Sequence, residues 1–199
     1  MSDYEFYKNE IVRLSAAENQ LLKIIDEYRN DRVKNTGENP VEYCKARIKS
    51  SDSMKDKLAR RNLPETLDVA LNVITDAVGI RLICNFMNDV YDTADYLKAR
   101  DEFEVVKIKD YIKNPKPNGY RSYHIIVKMN GGEADGILCE IQIRTIAIDC
   151  WASLEHQMSY KHTLKHKKLI ESELKRCADE IASTDLSMQT IRELILADD

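Results

Sequence analysis

ILCEIQIRT, residues 137–145, alternates apolar and polar side chains, and this period of two decides how the chain folds. Successive side chains of a β-strand point to opposite faces of a sheet. The apolar positions, which would face a core, are Ile137, Cys139, Ile141 and Ile143. The opposite face would carry Glu140, Gln142 and Arg144. This one strand therefore predicts a sheet with a buried face and a face of charged and amide groups.

Three more segments are short, rich in β-branched and aromatic residues, and bounded by turn-forming residues, as strands are. They are GIRLICNF (79–86), FEVVKIKDYI (103–112) and YRSYHIIVKM (120–129). The polar positions of the first and third, with the acid just before the first, are Asp76, Arg81, Asn85, Tyr120, Ser122 and His124. If these strands are neighbours of 137–145, their polar faces form a site with two carboxylates, arginine, histidine, glutamine and tyrosine.

Helical patterns surround these strands. Apolar residues recur three and four positions apart over residues 4–29, and a heptad seam runs from Ile170 to Ile195 with Thr184 in one polar slot. A shorter helix is predicted to begin at Pro40, and another follows a Ser53 cap. Further helices are predicted from Pro64 to near Thr75, over 89–100 and over 145–161, and a turn is predicted at 131–136. The predicted fold class is α+β, a small mixed sheet surrounded by helices.

Composition indicates a soluble globular protein, because 43% of the 199 residues are apolar, 32% are charged, and glycine and proline are few. No apolar run approaches the length of a membrane span, and the start MSDYEFYKNE lacks the order of a signal peptide. The five cysteines include no Cys-x-x-Cys pair. We therefore expect one domain, no membrane contact, reduced thiols and a cytoplasmic location.

The formal net charge of −4 argues against a stable nucleic-acid partner. Basic residues nevertheless crowd two segments, 45–61 and 107–128, while the acids concentrate toward the two ends. Two basic patches on an acidic protein suggest a small polyphosphate ligand.

DYIKNPKPNGYRSYH, residues 110–124, places two prolines, a glycine and several basic and aromatic residues between two strands. Such a rigid basic loop suits a purine stacked on Tyr120, with Lys116 and Asn118 placed to read its polar edge. A plainer interpretation is that the polar face of an antiparallel sheet and the basic face of a helix simply meet water. That interpretation explains the alternation but not the composition of the loop.

TDAVGIRLICNF, KDYIKNPKPNGYRSYH and EIQIRTIAIDCWASLEH, in this order, resemble the synthetase domain of the RelA/SpoT family, specifically its small single-domain alarmone synthetases. The resemblance spans about residues 40–165 and implies a nucleotidyltransferase-like sheet. It divides a single domain, 1–199, into a catalytic core at 40–165 and helical extensions at 1–39 and 166–199. The implied activity is Mg²⁺-dependent transfer of pyrophosphate from ATP to the 3′-hydroxyl of GDP or GTP in the stringent response.

The resemblance also implies roles for individual residues. The catalytic carboxylates would be Asp76 and Glu140, with Asp76 holding Mg²⁺ and Glu140 helping to hold it or taking the proton of the acceptor hydroxyl. The ATP-binding residues would be Arg47, Lys49, Ser53, Lys57, Arg60, Arg81 and Lys109. The residues that bind the guanosine nucleotide would be Lys116, Asn118, Tyr120, His124 and Gln142. Family members sandwich adenine between two arginines; Arg81 matches one, and Lys109 replaces the other.

Several alternatives stay open. The acceptor could be an adenine nucleotide or the 3′ end of tRNA, or the protein could be a nucleotide- or RNA-binding regulator without catalysis. No His is followed by Asp, the metal motif of the hydrolase domain in longer relatives, so we expect synthesis alone. Small members are often tetramers, and the terminal seams favour a homo-oligomer. Glu155 and His156 have no assigned role, and a metal pair at His162 and His166 is improbable.

Overall fold

The computed structural model describes residues 3–159 and 167–198. Its centre is a five-stranded mixed sheet with strand order β1-β2-β5-β4-β3. The strands are β1 Val41–Ile48, β2 Val78–Cys84, β3 Phe103–Asp110, β4 Tyr123–Met129 and β5 Leu138–Thr145. Neighbouring strands are antiparallel except β2 and β5, which pair in parallel. The four strands predicted from the sequence are confirmed, and the three with polar faces are direct neighbours.

Helices surround this sheet, as the α+β prediction requires. They are α1 Asp3–Tyr7, α2 Glu10–Thr36, α3 Ser51–Arg60, α4 Leu67–Asn72, α5 Met87–Lys98, α6 Ile146–Ser159 and α7 Lys167–Asp198. Helices α2 and α5 pack on the apolar face of the sheet, where Leu21 and Leu97 share a buried core with Ile80, Ile125 and Ile141. Burial of each such side chain contributes roughly 1.5–3 kcal/mol. This core fixes which face of the sheet stays open.

The first helical pattern is divided and is longer than predicted. Lys8 adopts a left-handed conformation, with φ of 51°, which ends α1 after Tyr7. Helix α2 continues beyond residue 29 to Thr36, where Gly37 forms a left-handed cap whose N–H donates to the Val33 carbonyl. Polar residues alone do not end a helix, because the exposed part of a long helix needs no apolar face.

The prediction of a helix from Pro40 is wrong, since residues 41–48 form β1. The strand lies at an edge of the sheet, directly after Pro40, and its backbone groups pair with β2.

Ser53 is likewise not the cap of α3. The helix begins at Ser51, and the side chain of Ser50 accepts from the Ser53 N–H. Helix α4 begins at Leu67, after a Thr66 cap, rather than at Pro64, and ends at Asn72 rather than near Thr75.

The C-terminal half of helix α7 packs on the domain through polar residues, whereas Leu174, Cys177 and Ile181 of its N-terminal half pack against a buried cluster that contains Trp151. Asp185 accepts from the hydroxyl of Thr145 at the end of β5, and Arg192 donates to Asp89 of α5 at 3.0 Å. Met188, Ile191 and other apolar seam residues in this half of the helix are exposed. The apolar seam residues of this C-terminal half therefore remain available for contacts outside this chain.

All five cysteines are free thiols, as predicted. Burial raises the pKa of Cys84 and Cys139 to about 12, as expected of structural thiols. Within the ranges 3–159 and 167–198, no helix is both long and apolar enough to cross a membrane.

Candidate active site

One row of polar side chains crosses the whole open face of the sheet. Residues at registered positions of neighbouring strands share a face. The register places in one row, from β1 to β3 across the sheet, Lys45, Arg81, Gln142, His124 and Lys109. The next registered row brings Arg47, Gly79 and Glu140 side by side. The polar faces predicted from the sequence thus form one continuous surface.

A cleft that is open to solvent lies over this surface between β1, β2 and β5. It is lined by Lys45, Arg47, Asp76, Gly79, Ile80, Arg81, Glu140 and Gln142. Gly79 has no side chain to fill the space between Arg47 and Glu140. Both carboxylates predicted from the sequence therefore open into one cleft with three cationic side chains.

Asp76 is held by two lysines. Lys49 Nζ donates to Oδ2 at 2.9 Å, and Lys57 Nζ lies 2.8 Å from Oδ1. Oδ1 is buried and, among the described residues, receives no hydrogen bond of good geometry despite that ion pair. Burial alone would raise the pKa of Asp76, but the two ammonium groups outweigh it and lower the pKa. The group is therefore an anion at neutral pH.

Glu140 projects from β5 between His124 and Gln142. Its Oε2 accepts from Gln142 Nε2 at 2.8 Å, and its Oε1 lies 3.4 Å from His124 Nδ1. Burial opposes ionisation of Glu140, but these partners and the nearby charge of Lys57 lower its pKa to about 2. Burial is also the main cause that lowers the pKa of His124, although Glu140 acts in the other direction. Glu140 is thus anionic and His124 neutral near pH 7.

Helix α3 carries three of the predicted phosphate ligands, of which Lys57 reaches Asp76 at the cleft. Ser53, Lys57 and Arg60 lie four and three positions apart, on one side of this helix. Lys49 precedes the helix and is fixed by its backbone, because its carbonyl accepts from the Tyr7 hydroxyl and its N–H donates to the Ala77 carbonyl.

The structure does not bring Lys109 to Arg81. Three strand spacings, about 14 Å, separate β3 from β2. Lys45 lies beside Arg81 on the adjacent strand and lines the cleft, as Arg47 does. The sequence prediction did not place Lys45 beside Arg81, because it assigned the segment after Pro40 to a helix rather than to β1. Lys45 is therefore a cleft cation that the sequence prediction missed.

The loop before β4 forms a compact aromatic and cationic surface. Lys116 Nζ lies 4.8 Å and 4.7 Å from the ring centroids of Tyr111 and Tyr120. Asn118 Oδ1 accepts from the Tyr120 N–H at 3.1 Å, and the Tyr120 hydroxyl lies 3.0 Å from His124 Nε2. The structure thus brings together four of the five residues predicted to bind the guanosine nucleotide, and the fifth, Gln142, pairs with His124 in the register.

Helix α7 supports this loop from behind. Gly119 has φ of +89°, and a Cβ atom there would lie 2.7 Å from the Ala178 Cβ. Arg121 donates to Asp179 at 2.8 Å and to the Gly119 carbonyl at 3.0 Å. The loop therefore needs glycine at 119 both for its backbone and for its fit against α7.

Two buried charged residues of this face, Arg144 and Asp149, were not among the predicted site residues. Arg144 was recognised on the polar face of β5, but Asp149 lies in the first turn of α6, where a strand pattern gives no signal. Arg144 Nη1 donates to Asp149 Oδ1 at 2.9 Å. Tyr43, also missed because it lies on β1, donates to Asp149 Oδ2 at 3.0 Å.

Four further residues considered in the sequence are Glu155, His156, His162 and His166. Glu155 and His156 lie on α6, and neither lines the cleft described above. His162 and His166 lie outside the described residues. Across residues 3–159 and 167–198, no cluster of three or more His, Cys, Asp or Glu side chains has the arrangement of a metal site. A cation at the cleft would therefore take Asp76 and Glu140 plus oxygen atoms from a ligand, which suits the oxygen preference of Mg²⁺.

The fold and the cleft together define a nucleotidyltransferase-like α+β protein. The family model described as "Region found in RelA / SpoT proteins" matches residues 46–165, and the chain belongs to this family. GTP pyrophosphokinase YwaC of Bacillus subtilis (strain 168) is 38% identical over 196 residues, which cover 95% of this chain and 91% of the relative.

Two crystal structures of small alarmone synthetase 1 from Bacillus subtilis are also similar. The structure bound to its product pppGpp has a TM-score of 0.85 and 30% identity, and the match covers 96% of this chain and 98% of that chain. The structure bound to AMPCPP has a TM-score of 0.75 and 27% identity, with the same coverage of 96% and 98%. The likeness therefore extends over nearly the whole chain.

Proposed function

We propose that this protein transfers pyrophosphate from ATP to the 3′-hydroxyl of GDP or GTP, with Mg²⁺, and so makes (p)ppGpp and AMP in the stringent response. The observation that carries the proposal is that Asp76, just before β2, and Glu140 of β5 open into one cleft with Lys45, Arg47 and Arg81. The names of the similar relatives, a GTP pyrophosphokinase and a synthetase bound to pppGpp, support it.

The reaction needs positioning and charge neutralisation more than covalent help from the protein. The acceptor 3′-oxygen forms a bond to the β-phosphorus of ATP. The bond from that phosphorus to the oxygen bridging the α-phosphorus breaks, AMP leaves with the oxygen, and the hydroxyl proton is released. The lysines and arginines around the cleft would hold the polyphosphate chain in line for this attack.

Asp76 and Glu140 would hold Mg²⁺, which when bound supplies positive charge to the phosphate oxygens. The buried Oδ1 of Asp76, without a well-formed hydrogen bond from the described residues, is a suitable ligand atom. Glu140 is anionic near pH 7, since its pKa is lowered to about 2. It would therefore help to hold Mg²⁺ or take the proton of the acceptor hydroxyl.

On the donor side, Arg81 with Lys45 and Arg47 would contact the adenosine end of ATP. Lys49, Ser53, Lys57 and Arg60 would face the phosphates. This assignment replaces Lys109 by the cations of β1, because those line the cleft next to Arg81.

On the acceptor side, Tyr120 would stack on guanine, Lys116 and Asn118 would contact its polar edge, and His124 with Gln142 would steady the ribose or phosphates. In the structure Lys116 covers the aromatic rings of Tyr111 and Tyr120. A purine would take over this stacking and leave the ammonium group at the rim.

The test is to incubate the purified protein with ATP, Mg²⁺ and each of GMP, GDP, GTP, ADP and deacylated tRNA, and to resolve the products by anion-exchange chromatography. We expect AMP release coupled to a more highly phosphorylated guanosine nucleotide. Glu140→Gln should lower the rate by about two orders of magnitude or more, because it removes a charge at the reacting phosphates.

If AMP is released only with ADP or only with tRNA, the acceptor is that molecule rather than a guanosine nucleotide. Absence of AMP release with every acceptor would favour the binding regulator without catalysis.

The exposed apolar residues of α7 are the surface on which the proposed homo-oligomer would assemble. They include Leu186, Met188, Ile191, Leu194, Ile195 and Leu196. Exposed apolar rows of this size mark contact surfaces. Light scattering at micromolar concentration should give a mass above the monomer, and a monomeric mass would refute assembly.

A further inference from the structure

Arg144 directs two of its guanidinium nitrogens, Nη2 and Nε, at the acceptor half of the site. Nη2 donates to the Tyr120 hydroxyl at 2.7 Å and to Gln142 Oε1 at 3.2 Å, and Nε donates to Ser122 Oγ at 3.4 Å. Tyr120 in turn reaches His124. One side chain thus touches two of the residues proposed to bind the guanosine nucleotide and orients a third through the tyrosine.

Asp149 contacts a proposed ligand of the donor half of the site in a similar way. Its Oδ1 lies 3.5 Å from Arg81 Nη1 and accepts from Arg144 Nη1 at 2.9 Å. Its Oδ2 accepts from Tyr43 of β1. The carboxylate also lies in the first turn of α6, where the helix dipole favours negative charge.

This ion pair is buried, with side-chain exposures of 5% for Arg144 and 10% for Asp149. A buried ion pair adds little net stability compared with apolar side chains, because both charges lose their hydration. A positioning role accounts for its hydrogen bonds, which are directed mostly at proposed substrate-binding residues rather than at the core.

We infer that Arg144 and Asp149 are positioning residues that orient the acceptor-side Tyr120 and the donor-side Arg81 as one unit. The inference rests on the proposed function. It predicts that loss of the pair weakens both nucleotide sites, the acceptor site through Arg144 and the donor site through Asp149. If the pair served stability alone, its substitution would leave both nucleotide affinities unchanged.

The experiment is calorimetric titration of the protein with GDP and, separately, with AMPCPP in Mg²⁺, which measures binding without turnover. Arg144→Lys keeps the charge but loses the planar fork, and should weaken GDP binding about tenfold or more. Asp149→Asn is nearly isosteric and should weaken AMPCPP binding more than GDP binding. Arg13→Lys, at a half-exposed guanidinium on α2 paired with Glu10, is the matched control and should bind both as the wild type.

A double-mutant cycle separates positioning from general destabilisation. Tyr120→Phe removes the hydroxyl that Arg144 holds, so adding Arg144→Lys to Tyr120→Phe should cost less GDP affinity than Arg144→Lys alone. Independent effects in this cycle, or wild-type affinities in both Arg144→Lys and Asp149→Asn, overturn the inference. If Arg144→Lys does not fold, Asp149→Asn and Tyr43→Phe decide the matter through AMPCPP affinity. A wild-type protein that binds neither nucleotide overturns the proposed function as well.

Discussion

Lys57 Nζ lies 2.8 Å from Oδ1 of Asp76, so a lysine proposed to bind ATP phosphate neutralises the carboxylate proposed to bind Mg²⁺. Lys49 does the same at Oδ2, at 2.9 Å. A polyphosphate chain would compete for both ammonium groups and release the carboxylate. The arrangement indicates that metal binds together with the nucleotide rather than before it.

Lys57→Met should therefore raise the affinity of the nucleotide-free protein for Mn²⁺, used as a probe for Mg²⁺. Removing one cation from beside Asp76 should strengthen binding about fivefold or more. Free Mn²⁺ is measured by electron paramagnetic resonance. Lys55→Met on the same helix, whose side chain pairs with Glu65, is the control and should change nothing. Equal Mn²⁺ affinity in Lys57→Met and wild type would contradict the exchange of partners.

His124 should make folding stability depend on pH below its ordinary pKa of 6.5. Because burial lowers the pKa of His124 in the folded protein, the unfolded chain binds a proton that the folded chain does not. The free energy of unfolding should fall as pH decreases from 6.5, by at most about 1.4 kcal/mol per pH unit. Urea denaturation of wild type and His124→Gln over this range measures the slope, which the substitution should reduce. An unchanged slope in His124→Gln would show that another group titrates.

Glu140 affects the folding stability over a separate range of pH. Its pKa is lowered from 4.5 to about 2, so the stability that it contributes is present above 4.5 and is lost only as pH falls from there. The two groups can therefore be distinguished by the pH at which stability changes.

Gly119→Ala should weaken GDP binding and leave AMPCPP binding unchanged. The new Cβ would lie 2.7 Å from Ala178, and alanine at φ +89° costs about 1–3 kcal/mol. Titration with each nucleotide measures the effect. Gly131→Ala is the matched control, because φ there is +71° and nothing lies within 4 Å. Adding Ala178→Gly should restore part of the GDP affinity lost in Gly119→Ala, and no recovery would argue against the contact with α7.

Arg192→Met should destabilise the fold strongly. Arg192 pairs with Asp89, which is 1% exposed, and its removal leaves a buried carboxylate without its cation. Breaking such a pair costs about 3–5 kcal/mol. Arg176→Met, at an exposed pair with Glu180, should change stability much less, because solvent screens that pair. Urea denaturation compares the two, and Arg192→Met with Asp89→Asn should recover stability. Equal losses for Arg192→Met and Arg176→Met would mean that α7 does not depend on this pair.

Much of the fold was predictable because strand alternation is local. Residues 137–145 gave the correct faces of β5, and the strands with polar faces proved to be neighbours. β1 was not predictable in the same way. It is an edge strand in which an irregularity between Val41 and Tyr43 interrupts the alternation, and Pro40 resembled a helix start.

The site was predictable where one strand or loop carries it, and less so where it depends on strand order. Lys109 seemed a partner of Arg81, but β3 and β2 lie three strands apart. Asp149 meets Tyr43, which lies 106 positions away in the chain. Such contacts depend on the assembled sheet and leave no periodic signal in either segment.

The parallel pairing of β2 with β5 also has a consequence for the order of folding. Residue 78 pairs with residue 139, so this contact requires closure of a long segment, whereas β3 and β4 are consecutive strands of an antiparallel pair. Non-local pairings form late, since the entropy of loop closure must be overcome first. Asp76 and Glu140 meet only across that late pairing. During refolding, catalysis should therefore recover later than helical content. The rate at which turnover returns would then report the last step of assembly.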